Sequence, residues 1–512
     1  MHGYNTATIG KVGPAAIQDV AAIAPVNRTF PFTDTIFVDD STGSSAGIPL
    51  PARLAVQLQK EKLPPEAPAR TNGYDAKSRY SNGNWPDGTL AANTIQQQWF
   101  ADVATRGVLP LFAADSGKPF AVVFWSRDPD GTQHNQDDSP DEFGEGINGE
   151  TALLGVQNAD HNLGQILEWL RAHSEIERNT DVFVTSDHGF ATISRREIDL
   201  GVHTTASESA KHYYLDPSGK VETRKGTLPQ GFLAIDLAVG LKTNLFDPDR
   251  PAGEGRKLFK QVRLSLDCCW EHPLNGNGLL GDEILKPDGS DAKVVVAANG
   301  GSDLIYVPSE KREIVERIVE LLLGFDYVGG IFVDQDKYGV VPGALPFSEI
   351  GLTGQAVTPR PAIVVAFKVF YLNPRNMQTA IQISDTNLQQ GQGMHGGFGR
   401  DSTYNNMAAI GPDFKKSYTD NAPVSNADIA PTLARILGLP FEGAGSLTGR
   451  VMEEALANGA EPPAAEIKHT ALPAPGQKQT VLLYQEFAGK RYFDAACLVA
   501  GDAQAKEASC PH

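Results

Sequence analysis

Three clusters of carboxylate and histidine lie far apart in this 512-residue chain: Asp130 with His134, Asp187 with His188, and His395 inside the glycine-rich stretch GQGMHGGFG at 391–399. Carboxylate oxygen and imidazole nitrogen are donors that suit zinc. An Asp, His, His set with an open fourth position is characteristic of a catalytic rather than a structural site. Any one of these pairs, taken singly, reads as readily as a helix cap, a turn or a surface ion pair. Their weight comes from repetition, because the first two each follow an apolar run and the third sits where glycine lets backbone approach a ligand closely.

The elements that must position them are short. Residues 120–125 (FAVVFW) and 181–186 (DVFVTS) have the length and β-branched content of buried strands. Ligands of open α/β sheets bind beyond the carboxyl ends of parallel strands, so the Asp130 and Asp187 clusters are expected to open onto one crevice. Between the two runs, Leu153, Leu154, Val156, Leu163, Ile166, Leu167 and Leu170 recur at near-helical spacing within 148–174. That spacing predicts a helix with this apolar face, closing a right-handed βαβ unit in a parallel sheet. Further strands are expected at 293–297 and 305–307, and short buried ones at 362–367 and 407–410. Ser309 is expected to cap a helix with Ile314, Val315, Ile318, Val319 and Leu322 on one face. Asp428 reads as a helix N-cap rather than a ligand, since Pro431 is tolerated in a first turn and Gly438 ends the apolar face of Leu433, Ile436 and Leu437. Residues 480–486 and 491–498 flank Ala488-Gly489-Lys490 as a hairpin, and the Ala- and Pro-rich run 457–475 before it reads as a linker.

The segments DPDGTQH, VFVTSDHGF, MHGGFGRDSTYNNMAAIGPDFK and SNADIAPTLARILGLP, in that order, resemble the alkaline phosphatase superfamily and, within it, the type I phosphodiesterase/nucleotide pyrophosphatase branch. The resemblance runs from about the N-terminus to Gly449, with its most specific motifs between Asp128 and Pro440. It implies an α/β fold with a central, mostly parallel sheet flanked by helices. It also implies two zinc ions, one held by Asp130, His134 and His395 and a second half supplied by Asp187 and His188. Such a pair stabilises both the attacking and the leaving oxygen at phosphorus, and the family pattern adds a metal-activated Thr or Ser nucleophile that forms a covalent phosphoryl intermediate.

One departure from the pattern matters. The family places a metal-binding Asp after its first strand, and then the nucleophile, upstream of a segment resembling GYNTATIGKVGPAAI, which here occupies residues 3–17. The expectation is therefore that the first strand, its Asp and the nucleophile are missing, that this chain is a fragment of a longer enzyme, and that one complete zinc site is present. The function expected from these readings is zinc-dependent hydrolysis of phosphate diesters or nucleotide pyrophosphate bonds, impaired if the nucleophile segment is absent. The alternatives are a catalytically dead or weak metal-binding relative, and a sulfatase or phosphomonoesterase of the same superfamily. Arg400 is placed to offer a bidentate fork to a phosphate or sulfate oxygen, or to make a structural ion pair. Lys11 carries the same two readings.

Composition fits an ordinary globular enzyme. The formal net charge is −18, from 44 basic against 62 acidic side chains, which argues against binding nucleic-acid duplexes through Lys and Arg patches but leaves a small phosphate ester or nucleotide as substrate. No stretch has the apolar length of a membrane span. The expected organisation is an α/β domain over 1–456 with insertions near 64–99, 202–225 and 247–291, followed by linker and hairpin over 457–512. His203 and His212 in the second insertion read as solvent-exposed, and the acidic run Asp137, Asp138, Asp141 and Glu142 as a solvated loop. Four cysteines form no disulfide framework, although Cys497 and Cys510 are spaced to bridge a modest loop. No export signal is visible, and a periplasmic or secreted setting is implied by the resemblance alone.

Overall fold

The computed structural model describes residues 3–11, 35–44, 47–70, 88–115, 117–138, 143, 145–196, 206–215, 221–223, 225–251, 259–264, 269–282, 285–286, 288–354, 358–373, 375–440, 449–463, 467–500 and 510. His203, Asp141, Glu142 and Cys268, and parts of the three expected insertions, lie outside the described residues. The chain divides into two compact units, one of residues 1–80, 86–139 and 144–180, the other of 81–85, 140–143 and 181–512.

In the first unit, β1 (Asn5–Gly10) is the middle strand of a parallel three-stranded sheet between β2 (Thr35–Asp39) and β3 (Phe120–Trp125). A middle strand of a parallel sheet is covered on both faces. Accordingly, Thr8 is buried on one face, and on the other Ala7 and Ile9 are buried with Ile36 and Val38 against Leu54, Leu58, Trp99, Phe100 and Phe112. Removing side chains of this size from water contributes on the order of 1.5–3 kcal/mol each. Outer strand β3 is only half-buried, with Val123 exposed. Two helices complete the part that matters for function: α1 (Asp130–Asn135) and the long α2 (Glu150–Ala172). The face of α2 differs from expectation, because Leu153, Leu154 and Val156 are exposed whereas Thr151, Ala152, Gly155, Asn162 and Leu170 are buried. Small residues win that face because α1 packs there: a Cβ at position 155 would lie 3.2 Å from Thr132 Cβ and 3.5 Å from Pro129 Cα.

The second unit is built on an eight-stranded sheet, ordered Leu345–Pro346, Val328–Val333, Ile363–Phe367, Ser302–Tyr306, Val294–Ala298, Gly278–Gly281, Asn244–Pro251 and Phe259–Val262. Apart from the Val328–Val333/Leu345–Pro346 contact it is antiparallel. The mixed α/β class expected from the sequence therefore holds, while the parallel pairing is concentrated in the smaller sheets. Helix Arg312–Leu322 covers this sheet with Val315, Ile318, Val319 and Leu322 buried, and its N-cap is Lys311, two residues beyond the expected Ser309.

β4 (Val182–Thr185), expected to close a parallel βαβ unit, pairs antiparallel with Met407–Ile410. The latter strand is correspondingly exposed rather than buried, Ile410 being 60% accessible. β5 (Ala191–Ser194) runs parallel to Ala380–Ile383 and antiparallel to Gly393–Met394. The C-terminal hairpin forms with Lys478–Phe487 and Lys490–Ala500 joined through Ala488 and Gly489, both at positive φ. Part of the presumed linker, Lys468–Pro473, adds a third strand to it. Cys497 and Cys510 are disulfide-bonded and Cys269 is buried. No helix among the described residues is long and apolar enough to cross a membrane.

Candidate metal centre

The first unit presents Asp130 and His134 one helical turn apart on α1, so both side chains rise from the same face. His134 Nε2 lies 3.4 Å from Asp130 Oδ1, and the ammonium of Lys11, just past β1, lies 3.0 Å from Asp130 Oδ2. Burial acts to raise the Asp130 pKa, but the hydrogen bonds and charges of His134 and Lys11 outweigh it and hold the carboxyl below the usual carboxylate range. The turn leading into α1 is fixed from beneath. Asp128 is buried and accepts a hydrogen bond from the Asn93 N–H at 3.1 Å, and the Thr89 N–H donates to the Asn135 carbonyl at the far end of α1. Packing of α2 at Gly155 completes the support.

The second unit brings its own two clusters together although 207 residues separate His188 from His395 (395 − 188). The register of β5 against Gly393–Met394 is the cause: Met394 pairs with Ala191, so His395 emerges beside the residues that precede β5. The rings of His188 and His395 stack at 3.7 Å between centroids, and Phe190 lies 5.3 Å from His395. His188 Nδ1 lies 2.9 Å from the Gly189 carbonyl, which makes Nδ1 the protonated nitrogen of the neutral ring and leaves the Nε2 lone pair available. That Nε2 lies 3.3 Å from Asp187 Oδ2. Position 189 has to be glycine, because a Cβ there would come within 1.9 Å of the Asp401 carbonyl oxygen.

Arg400, nominated for phosphate binding, and Asp428, expected to be a helix cap, both have protein partners. Arg400 lays its fork on Asp494, with Nε and Nη2 each 2.7 Å from a carboxylate oxygen, which is the ion-pair arrangement. Asp428 is structural: its carboxylate accepts from the Ser425 and Arg450 N–H groups, closing a capping box with Ser425. Sequence reasoning missed Asn426, whose amide donates to the carbonyls of Ser186 at 2.9 Å and Asp187 at 3.2 Å and so holds the loop under the second cluster. Its place in the SNAD segment was visible, but its long-range partners were not.

With this geometry in hand, comparison with known families is informative. Residues 27–231 match the type I phosphodiesterase / nucleotide pyrophosphatase family model. The recognition made from short motifs is thereby borne out, and the matched segment contains Asp130, His134, Asp187 and His188. This type I phosphodiesterase / nucleotide pyrophosphatase family is part of the alkaline phosphatase superfamily and is metal-dependent, and the match supports hydrolysis of phosphate esters. No curated protein and no solved structure matches the chain significantly.

Proposed function

We propose that the protein is a zinc-dependent hydrolase acting on phosphate diesters or nucleotide pyrophosphate bonds, with Asp130, His134, Asp187, His188 and His395 as metal ligands. The first unit supplies a carboxylate and an imidazole from Asp130 and His134, and the second supplies the carboxylate of Asp187 and the stacked imidazoles of His188 and His395, donors that suit zinc.

The observation that carries this reading is the spacing within each unit. Nδ1 of His188 lies against a carbonyl, so Nε2 is the ring nitrogen that faces Asp187. A cation held between an imidazole nitrogen and a carboxylate is bound by both. Two donors of one tetrahedral zinc, each at about 2.0–2.1 Å, lie about 3.3 Å apart. The Asp187/His188 and Asp130/His134 pairs lie 3.3 and 3.4 Å apart.

Zinc bound there would act as a Lewis acid on a phosphoryl oxygen and stabilise charge on the oxygens in line with phosphorus. The chain's own residues orient the donors. The Gly189 carbonyl fixes the His188 tautomer, Asn426 anchors the Asp187 loop, and Lys11 keeps Asp130 ionised. The attacking group is not assigned to a residue of this chain.

The test is metal removal by chelation followed by readdition of zinc, assayed on bis(4-nitrophenyl) phosphate and on 4-nitrophenyl phosphate. The expected outcome is diester hydrolysis that disappears with the metal and returns with it, and that exceeds monoester hydrolysis. Zinc binding without turnover of either ester would establish a metal-binding relative instead. Unchanged zinc content in His395→Ala would remove His395 from the ligand set.

A further inference from the structure

The turn between strands Val294–Ala298 and Ser302–Tyr306 grips the backbone on either side of His395. Gly301 N–H donates to the His395 carbonyl at 3.1 Å, and Ser302 Oγ donates to the Gly396 carbonyl at 2.8 Å. Gly300, at φ +82°, is pressed against Met394, whose Cε would lie 2.1 Å from any Cβ at that position. Three successive turn residues thus meet three successive residues of the histidine loop.

The turn is itself braced from behind. Gly300 exchanges two backbone hydrogen bonds with Asp385, at 3.0 and 2.8 Å. Asp303 Oδ1 accepts from the Asn299 N–H at 3.1 Å, and Asp385 Oδ1 accepts from the Gly231 N–H at 2.8 Å. Both carboxyls are fully buried. Their remaining Oδ2 atoms make no hydrogen bond. Burial raises both pKa values, that of Asp385 to about 7, while the Arg195 charge opposes the rise at Asp385 and Tyr327 lies within electrostatic reach of both.

We propose that Ser302 is a positioning residue for His395, setting the direction in which its imidazole is presented to the metal. The inference rests on the reading of His395 as a ligand. Groups behind a ligand typically change metal affinity about 10–100-fold when removed, although they never touch the ion. Ser302 acts directly on the carbonyl next to His395, and the backbone bonds between Gly300 and Asp385 hold the turn that leads into it.

The experiment is calorimetric titration of the metal-free full chain with zinc alone, for wild type, His395→Ala, Ser302→Ala and Ser302→Thr, with thermal unfolding of each metal-free variant alongside. Ser302→Ala is expected to weaken zinc binding about 10-fold, and Ser302→Thr, which restores a hydroxyl, to recover it. Loss of affinity in His395→Ala with no change in Ser302→Ala would overturn the positioning role while leaving the ligand assignment intact. Unchanged affinity in His395→Ala would overturn the ligand assignment and the positioning role with it.

Discussion

The carboxylate and histidine pairs of the two units have nearly the same spacing, but a buried carboxyl of the first unit and one of the second are shifted in opposite directions. Asp130 sits against the Lys11 ammonium and is held ionised below the usual carboxylate range. In the second unit, the buried acid nearest in sequence to His395 is Asp401, whose pKa burial pushes up to about 6. The His188 ring meets another imidazole rather than a lysine. A local cation lets one unit keep a carboxylate charged inside the protein. Where the protein supplies none, burial favours the neutral acid.

The largest effect should come from the cation that does have a dedicated partner in the second unit. Arg400 and Asp494 are 17% and 5% exposed, so Arg400→Ala strands a buried carboxylate and should cost about 3–5 kcal/mol in denaturant unfolding. If Arg400 served substrate instead, the variant would show a raised KM at near-normal stability.

Asp401→Asn comes next. A carboxyl whose folded pKa lies above its unfolded value costs nothing below about pH 4, where both states are protonated. Its penalty appears as pH rises through about 6, where the folded state must also give up the proton. The variant should therefore gain up to about 3 kcal/mol on wild type between pH 4 and pH 8, from a shift of roughly two units. A gap that does not change with pH would show that Asp401 titrates normally.

Asp130→Asn should show the reverse pH dependence and a smaller effect. A depressed folded pKa contributes stability above the ordinary carboxylate range that disappears on acidification through the folded pKa. In metal-free protein the wild-type advantage in Tm should be present at pH 7 and shrink below pH 4. An advantage that grows with acid would contradict the Lys11 pairing.

The donors were legible in the sequence because their logic is local. Asp130 and His134 are four apart on one helical turn, and Asp187 and His188 are adjacent after an apolar strand with Gly189 behind them. The pairing of distant segments was not legible. Nothing near Arg400 announces Asp494, 94 residues on. Nothing in the stretch Asn299-Gly300-Gly301 says that it will hold His395. The face of α2 was misread for a related reason: apolar periodicity ranks Leu153, Leu154 and Val156 as core, but α1 needs the small Gly155 for its close approach. The expected parallel partner for β4 failed similarly, because 407–410 offered an apolar strand that no local pattern connects to 182–185.

The central claim, that these histidines are ligands of a metal centre, is tested most directly by a double-mutant cycle on zinc affinity with His188→Ala, His395→Ala and the combined variant, both positions lying in the second unit. Donors to a shared centre should each weaken zinc binding strongly when removed alone, with the double variant losing far less than the sum of the two. Additive losses, or a loss confined to one of the two single variants, would mean that His188 and His395 do not act on the same metal centre.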